Sequence, residues 1–291
     1  MARRLSFPRA VIRGGGEGAP RKCEEAFAHL TGRFAPVETN FEADGLRLNA
    51  YLALPPRGGA RLGLVLCHGF PAGPRGGATS GQTYRELADR LTVELGWAVL
   101  TFNFRGTGAS AGNFSLGGWL SDLRAAIDTL LAADGVDAVW LAGFGVGGSL
   151  AICAAGEDER VQGVAAFAAP CDFADWAADP TGFLAHAREI GVIRDAAFPH
   201  DQEAWARELR EIQPLALMGK VPPRPVLLVH GDDDSVVPIE HARELAEAAE
   251  GMVDMRLLSG AGHRLRHDPR AVAALLGWLA RQARPGGSEE S

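Results

Sequence analysis

The sequence predicts an α/β fold in which a mostly parallel sheet carries helices on both faces. Strand-like and helical patterns alternate between residues 37 and 283, as they do when parallel strands are joined by helices. The segment Leu62–Cys67 (LGLVLC) is a continuous apolar run, which is typical of a strand buried on both faces. Residues 172–220 interrupt the alternation with helical patches and no strand pattern, and they predict a small helical cap insertion. Ligands bind such sheets beyond the carboxyl ends of the strands, so functional residues are expected in the loops there.

The individual elements follow from the spacing of apolar residues. Asp44-Gly45 separates two strand-like segments and predicts a β-hairpin. Asp268 followed by Pro269 predicts the start of the last helix, because Asp caps a helix and Pro suits its first turn. Strand patterns lie at Val37–Phe41, Leu46–Leu54, Leu62–Cys67, Trp97–Phe102, Ala138–Ala142, Val161–Ala168, Pro225–His230 and Met252–Leu258. Helical patterns lie at 83–95, 118–133, Val146–Ala155, 239–250 and 269–282.

Composition and charge exclude several classes of protein. The chain has 291 residues, of which 47% are hydrophobic and 22% charged. This composition excludes a wholly disordered chain, a collagen-like repeat and a coiled coil. No apolar run reaches about 18 residues, so we expect no membrane-spanning helix. The net charge of -7 gives no electrostatic reason to expect a nucleic-acid partner.

The cysteines and the chain ends suggest the cellular setting and the domain limits. The cysteines lie far apart without CxxC spacing, which favours neither disulfides nor a structural zinc site, and a reducing cytoplasm fits best. They are Cys23, Cys67, Cys153 and Cys171. We expect an N-terminal extension at 1–36, partly flexible, one domain at 37–283, and a disordered tail at 284–291.

Glycine-rich and polar motifs follow five of the predicted strands. They are Cys67-His68-Gly69-Phe70, Arg105-Gly106-Thr107-Gly108-Ala109-Ser110, Gly143-Phe144-Gly145-Val146-Gly147-Gly148, His230-Gly231-Asp232-Asp233-Asp234-Ser235-Val236-Val237-Pro238 and Gly260-Ala261-Gly262-His263. In this order the set resembles the α/β-hydrolase superfamily, and most closely its small esterase and serine-peptidase-like branch. The resemblance covers residues 37–283 and implies the α/β-hydrolase fold. It also implies a small-molecule ester or amide as ligand, with no metal or organic cofactor.

The resemblance assigns a role to four residues of this chain. Asp234 takes the position of the acid and His263 that of the base, while the amides of Phe70 and Val146 take the positions of the oxyanion hole. The chemistry agrees, because a neutral imidazole needs an acceptor on its far nitrogen and a carboxylate at a strand end can supply it. Amides at the start of a helix can stabilise a developing oxyanion.

Gly145 departs from the family pattern at the nucleophile position. The pattern GxSxGG requires a serine there, and glycine supplies neither hydroxyl nor thiol. Loss of a triad nucleophile typically costs about 10⁶ in turnover, although the oxyanion hole and substrate binding retain part of the catalysis. Glycine suits the strained turn at this corner, so we expect a positive φ at Gly145. A Ser-to-Gly change made in the laboratory would leave the same sequence.

Other side chains in these loops have competing interpretations. Cys171 follows the sixth strand and is a candidate nucleophile or a packing residue, and Asp172 is an alternative acid. Ser149 lies one helical turn beyond Gly145 and is a poor substitute for the missing serine. His68 is expected to hold the loop of Phe70. Arg105 and Thr107 are expected to bind loop backbone, while Trp176, Phe183 and Trp205 are expected in the core of the cap.

Three functions fit the sequence. In the first, Asp234 and His263 activate water or a substrate proton directly, and ester or amide hydrolysis is weak. In the second, the chain is a non-catalytic relative that binds a ligand or partner through the retained pocket. The third is dinucleotide binding, since Gly143-x-Gly145-x-x-Gly148 matches that fingerprint formally, but the acidic residue about 20 positions further on is absent. We expect neither nucleic acid nor membrane as partner, and the sequence leaves a homodimer open.

Overall fold

A computed structural model describes residues 35–55, 62–73, 76–79 and 84–283. The described strands form one sheet of eight strands in the order β1-β2-β4-β3-β5-β6-β7-β8. β1 and β2 pair antiparallel, as do β2 and β4, and the remaining pairs are parallel. The strands are β1 Ala35–Ala43, β2 Leu46–Leu54, β3 Leu62–Cys67, β4 Ala98–Phe102, β5 Ala138–Phe144, β6 Val161–Phe167, β7 Val226–Gly231 and β8 Asp254–Leu258. The predicted fold class is confirmed.

Helices cover both faces of the sheet. They are α1 Tyr84–Leu95, α2 Leu116–Leu131, α3 Val146–Glu157, α4 Ala174–Ala178, α5 Pro180–Glu189, α6 Gln202–Glu211, α7 Pro214–Met218, α8 Ile239–Ala248 and α9 Pro269–Gln282. Side chains of β3 alternate between two separate cores, as the pleat of a strand requires. Val65 packs in the core formed with α2 and α3, and Leu64 packs in the core formed with α1 and α9.

Turn geometry explains where the observed elements differ from the predicted ones. Asp44 and Gly45 both have positive φ and close the predicted hairpin in the mirror-image turn that such hairpins prefer. Glu250 and Gly251 also have positive φ, so the helix predicted to 250 ends at Ala248 and the next strand starts only at Asp254. Ser115 accepts a hydrogen bond from the Gly118 amide, which starts α2 two residues before its predicted position.

The cap, residues 172–220, contains α4 to α7 and no strand. It is joined to the body of the protein by hydrogen bonds as well as by aromatic packing. Trp205 Nε1 donates to the Phe114 carbonyl at 3.2 Å, and Glu208 Oε2 accepts from the Gly117 amide at 2.9 Å. Trp205 and Phe183, predicted in the core of the cap, are buried in a core that the cap shares with the sheet. The cap is therefore part of the folded core.

Parts of the predicted domain organisation lie outside the described residues. These are most of the N-terminal extension, at 1–34, and the tail at 284–291. Within the described ranges, the helices are too short or too polar for any of them to span a bilayer.

Candidate active site

Gly145 lies at the sharp turn between β5 and α3, at the carboxyl end of the sheet. Its φ is 53° and its ψ is -126°, a backbone conformation that side chains other than glycine rarely adopt. The Gly145 amide donates to the Phe167 carbonyl at 2.8 Å, which ties the turn to the neighbouring strand. The expected positive φ at this position is therefore present.

Neighbouring glycines make this turn compact. A Cβ on Gly143 would lie 2.2 Å from the Gly147 carbonyl oxygen, and one on Gly147 would lie 2.3 Å from the His68 carbonyl oxygen. A Cβ on Gly69 would lie 2.8 Å from the Phe144 carbonyl oxygen. Real Cβ atoms do not approach backbone so closely, so the turn and the loop after β3 can pack together only because these residues lack side chains.

His263 and Asp234 are in direct contact. His263 Nδ1 lies 2.9 Å from Asp234 Oδ2, and the Asp234 side chain is 0% exposed. Asp234 Oδ1 accepts hydrogen bonds from the amides of Val236 and Val237, both at 2.9 Å. Burial raises the pKa of Asp234, but the hydrogen bonds from His263 and the two amides outweigh it and leave the pKa below its usual value. The carboxylate is thus ionised and orients the imidazole.

His263 faces Gly145 with its other ring nitrogen. A Cβ on Gly145 would lie 3.6 Å from His263 Nε2, which is ordinary van der Waals contact. Because Nδ1–H donates to Asp234, Nε2 carries the lone pair in the neutral ring. The His263 side chain is 31% exposed, so solvent reaches it. The space beside Gly145 is therefore next to a base whose lone pair is available.

His230 supports the loop of Asp234, and sequence reasoning missed it. His230 Nε2 lies 2.9 Å from the Val237 carbonyl oxygen and 3.5 Å from Asp234 Oδ2. Burial lowers the pKa of His230, so the ring is neutral and its Nε2–H donates to the carbonyl. Its place at the end of β7, four residues before the acid, is a signal that could have identified it.

The loop after β3 places Gly69, the residue before Phe70, beside the turn at Gly145, with Gly69 Cα 3.9 Å from a Cβ built on Gly145. Val146 is the first residue of α3, so its amide has no acceptor within the helix. Among the described residues, neither the Phe70 amide nor the Val146 amide donates to another backbone carbonyl. His68 is buried beneath the loop, with Nδ1 2.8 Å from the Gly69 carbonyl oxygen and Nε2 accepting from the Phe104 amide at 3.3 Å. The side chain of Phe70 packs against Trp176 of the cap.

The loop after β4 has a structural role, although one expected contact differs. Arg105 binds two carboxylates instead of loop backbone, with Nη2 2.6 Å from Asp122 Oδ1 and 2.7 Å from Asp44 Oδ2. Thr107 donates to the Phe104 carbonyl at 2.7 Å, as expected of a residue that binds backbone. Arg105 binds Asp122 because this carboxylate is buried on α2 and needs a partner.

Comparisons with known proteins identify the family of this chain. A family model described as "Alpha/beta hydrolase family" matches residues 64–275, which is most of the chain. This chain belongs to the alpha/beta hydrolase family. The chain is 28% identical to Rv2307c of Mycobacterium tuberculosis, an uncharacterized protein, over 83% of this chain and 74% of that protein.

Other relatives are similar over shorter stretches. The quorum-quenching protein AidA of Acinetobacter baumannii is 30% identical over 48% of this chain and 45% of AidA. The uncharacterized protein YfhR of Escherichia coli O157:H7 is 26% identical over 54% of this chain and 50% of YfhR. The chain thus spans about half the length of these two curated relatives.

Solved structures include esterases. The esterase domain of a Rhodothermus marinus protein is 27% identical to this chain, with a TM-score of 0.62, over 86% of this chain and 98% of that chain. An esterase of Pyrococcus furiosus is 18% identical with a TM-score of 0.62, over 93% of this chain and 98% of that chain. The second similarity shows the shared fold alone.

Two cavities of the protein meet at Gly145 and His263. The aromatic cavity, of about 440 Å³, lies under the cap and is lined by Phe173, Trp176 and Phe183 among others. The cationic cavity, of about 280 Å³, lies between the loop after β3 and the segment 263–267, and Arg264 and Arg266 line it. Sequence reasoning did not single out these two arginines. Their position directly after the predicted base, His263, is the feature of the sequence that could have identified them.

Two other candidates, Ser149 and Cys171, line neither cavity, and a third, Asp172, does not hold the base. Ser149 is buried and donates to the Pro170 carbonyl at 2.6 Å, and the buried Cys171 does not line either cavity. Asp172 lines the aromatic cavity, but its Oδ1 accepts from the Ala174 amide, and Asp234 holds His263 instead.

Cys171, Asp172 and His241 form a cluster whose ligand atoms lie within 4.8 Å of one another and could hold a metal ion. Hydrogen bonds already satisfy it, because His241 Nδ1 accepts from the Cys171 amide at 3.1 Å and the thiol donates to Glu244. Burial is the largest of the effects that raise the pKa of the Cys171 thiol to about 12. The neighbouring carboxylates of Glu244 and Asp172 also raise it, but each contributes less than burial. The thiol is therefore protonated, and the cluster is a hydrogen-bonded group at the edge of the site.

Proposed function

We propose that the hydrolase cleaves carboxylic esters by general-base catalysis, without a covalent intermediate. The observation that carries the proposal is the position of His263, which binds Asp234 at 2.9 Å and turns Nε2 to the space beside Gly145. In relatives with the full motif a serine side chain would occupy that space. Here it can admit a water molecule between the base and a substrate carbonyl.

The reaction then needs only the residues of this site. His263 Nε2 takes a proton from water as the water oxygen attacks the carbonyl carbon, and Asp234 stabilises the resulting imidazolium. The amides of Phe70 and Val146 stabilise the negative charge on the carbonyl oxygen. The tetrahedral intermediate collapses by breaking the ester C–O bond, and the imidazolium returns its proton to the leaving alcohol.

The expected rate is modest. A positioned general base contributes about 10²–10⁴ in rate, well below the contribution of a complete triad. Esters are favoured over amides as substrates because an alkoxide leaves more readily than an amide anion. The similarity to an esterase domain at 27% identity, over 98% of that domain, supports the same class.

The test compares the hydrolase with its His263→Gln and Asp234→Asn variants on short- and long-chain aryl esters. We expect a linear time course without an acyl-enzyme burst, no labelling by a serine-directed phosphonate, and a loss of about 10²–10⁴ in His263→Gln. Unchanged turnover in that variant would overturn the proposal. Labelling at Ser149 or Cys171 would show a displaced nucleophile instead.

Gly145 itself favours a second candidate, a non-catalytic protein that binds an ester or acid in the same cavities. The discriminating measurement is turnover relative to His263→Gln combined with calorimetric titration of the carboxylic acid product. Binding without any turnover above that of the variant supports the binding protein. Turnover that depends on His263 supports the hydrolase.

A further inference from the structure

The cationic cavity contains a positive charge that the fold leaves without a carboxylate. Among its described lining residues are Arg264, Arg266 and His267, and there is no Asp or Glu. Neither arginine forms an ion pair within the described part of the chain. The aromatic cavity on the other side of Gly145 is different, because Asp172 and Asp175 line it. The two cavities therefore differ in charge, although Arg264 lines both of them.

Arg266 is the more informative of the two arginines. Its Nε atom is buried and has no hydrogen-bond acceptor. The guanidinium carbon lies 5.0 Å from the centroid of the Tyr84 ring, a cation–π contact that uses no N–H donor. The buried Nε is closed to a ligand, but neither terminal nitrogen is buried and unpartnered in this way, so the Nη donors are the ones that an anion in the cavity can reach.

A comparison with Arg105 shows what Arg266 lacks. Burial lowers the pKa of Arg105, but Asp122 and Asp44 outweigh this effect and raise the pKa above its ordinary value. Burial also lowers the pKa of Arg266, and only weaker interactions with Tyr84 and the exposed Glu86 oppose it, so the pKa stays below its ordinary value. The desolvation of Arg266 is not compensated within the protein, and an anion in the cavity would compensate it.

We infer that the cationic cavity binds a carboxylate or phosphate group of the substrate through Arg266, with Arg264 at the junction of the two cavities. Guanidinium groups match both anions, because their paired N–H donors fit two oxygens at once. The inference rests on the proposed function, since it names the substrate class as esters that carry a negative charge. The uncharged remainder of such an ester lies against the aromatic cavity.

The kinetic test uses pairs of esters that differ in charge. 4-Acetoxybenzoate is compared with 4-acetoxybenzamide for a carboxylate on the alcohol side, and 4-acetoxyphenyl phosphate extends this arm to phosphate. Mono-4-nitrophenyl adipate is compared with 4-nitrophenyl hexanoate for the acyl side. We expect kcat/KM to favour the anionic member of at least one pair by about tenfold or more, as for a charge-assisted hydrogen bond.

Variants of the two arginines test whether the cationic cavity causes this preference for the anionic ester. Arg266→Met keeps much of the apolar stem and should remove the preference for the anionic member of the pair. Arg266→Lys should restore part of it, and Arg264→Met provides an independent change at an exposed residue. Arg90→Met is the matched control, because Arg90 is an exposed arginine on α1 that pairs with Glu94 at 2.7 Å. An unchanged preference in both Arg266→Met and Arg264→Met would overturn the inference.

A binding measurement separates this inference from the proposed function. Calorimetric titration with benzoate, phenyl phosphate and benzamide requires no turnover. Binding of either anion, but not of benzamide, that is lost in Arg266→Met supports the anion site even if no ester is hydrolysed. Hydrolysis of neutral esters with no binding of either anion would leave the proposed function intact and refute the anion site.

Discussion

At Gly145 the backbone holds a conformation whose purpose in related enzymes is to present a side chain, and here it presents none. The φ of 53° and ψ of -126° are costly for any residue with a Cβ, by about 1–3 kcal/mol. The surroundings nevertheless leave room for one, because the nearest atom to a Cβ would be His263 Nε2 at 3.6 Å. Backbone strain, and not crowding, is therefore the obstacle to a side chain here.

Gly145→Ser tests this directly. We expect the melting temperature to fall, because the strain now applies to a residue with a Cβ. Ester turnover should rise by orders of magnitude, because the new hydroxyl lies beside His263 and opens the covalent route. Both are measured on one preparation, by thermal unfolding and by aryl ester hydrolysis with a phosphonate label.

Gly145→Ala separates the two effects. It carries the same strain without the hydroxyl, so its melting temperature should match that of Gly145→Ser while its activity does not rise. A stable but inactive serine variant would favour the binding protein over the hydrolase. Loss of an existing activity in both variants would instead show that the space beside Gly145 is used in the present reaction.

The strand–turn–helix element around Gly145 depends on glycine for a different reason, namely close approach. We expect Gly147→Ala to lower the free energy of unfolding by several kcal/mol, because its Cβ would meet the His68 carbonyl oxygen at 2.3 Å and the backbone must move. Gly277→Ala is the matched control on α9, since Gly277 is exposed with nothing within 4 Å of its Cβ position.

Gly277→Ala should raise the free energy of unfolding by about 0.5–1 kcal/mol, because alanine is the better helix former. Urea unfolding of the three proteins measures both changes. Equal stability of Gly147→Ala and the parent would mean that the loop after β3 can move away from the turn, contrary to the packing described above.

The elements themselves could be predicted from the sequence. Leu46–Leu54, Leu62–Cys67 and 269–282 have the same limits in prediction and structure, because apolar periodicity and a Pro or Gly boundary coincide there. The predicted limits of elements were wrong where turn geometry sets the end of a helix or strand. Glu250 is an example, because no residue pattern indicated its positive φ. The loop motifs placed Asp234 and His263 in contact because both follow neighbouring parallel strands.

At the scale of the whole molecule, buried neutral histidines connect stability to pH. His68 is 1% exposed, and burial lowers its pKa to about 4 although the bond to the Gly69 carbonyl opposes this. An unfolded histidine titrates near 6.5, so below that pH the unfolded chain binds a proton that the folded chain does not. The contribution of His68 to the free energy of unfolding is therefore fully present above about pH 6.5 and is lost as the pH falls toward 4.

We expect His68 to account for about 2 kcal/mol of lost unfolding free energy between pH 7.5 and pH 5. His230 acts in the same direction, since burial lowers its pKa too. Urea unfolding at a series of pH values measures the slope, and His68→Gln should be less stable at pH 7.5 but show a shallower slope. A parent protein with constant stability over this range would contradict the assignment of His68 as buried and neutral.

The parts of the site that escaped sequence reasoning depend on contacts between distant segments. The cationic cavity joins Arg266 to Tyr84. No motif links those positions along the chain. A residue such as Arg266 becomes informative only when the fold shows that no carboxylate lies beside it.

The absence of a side chain at Gly145 also bears on the choice of acyl acceptor. An enzyme with a serine must first pass the acyl group to its own hydroxyl, so every later acceptor competes for the same acyl-enzyme. In the mechanism proposed here the acceptor is not attached to the protein, and any small nucleophile that fits beside His263 competes directly with water. Methanol or hydroxylamine would then divert acyl groups to the ester or hydroxamate in proportion to its concentration, and the chain would act as an acyltransferase whose acceptor is set by the solution.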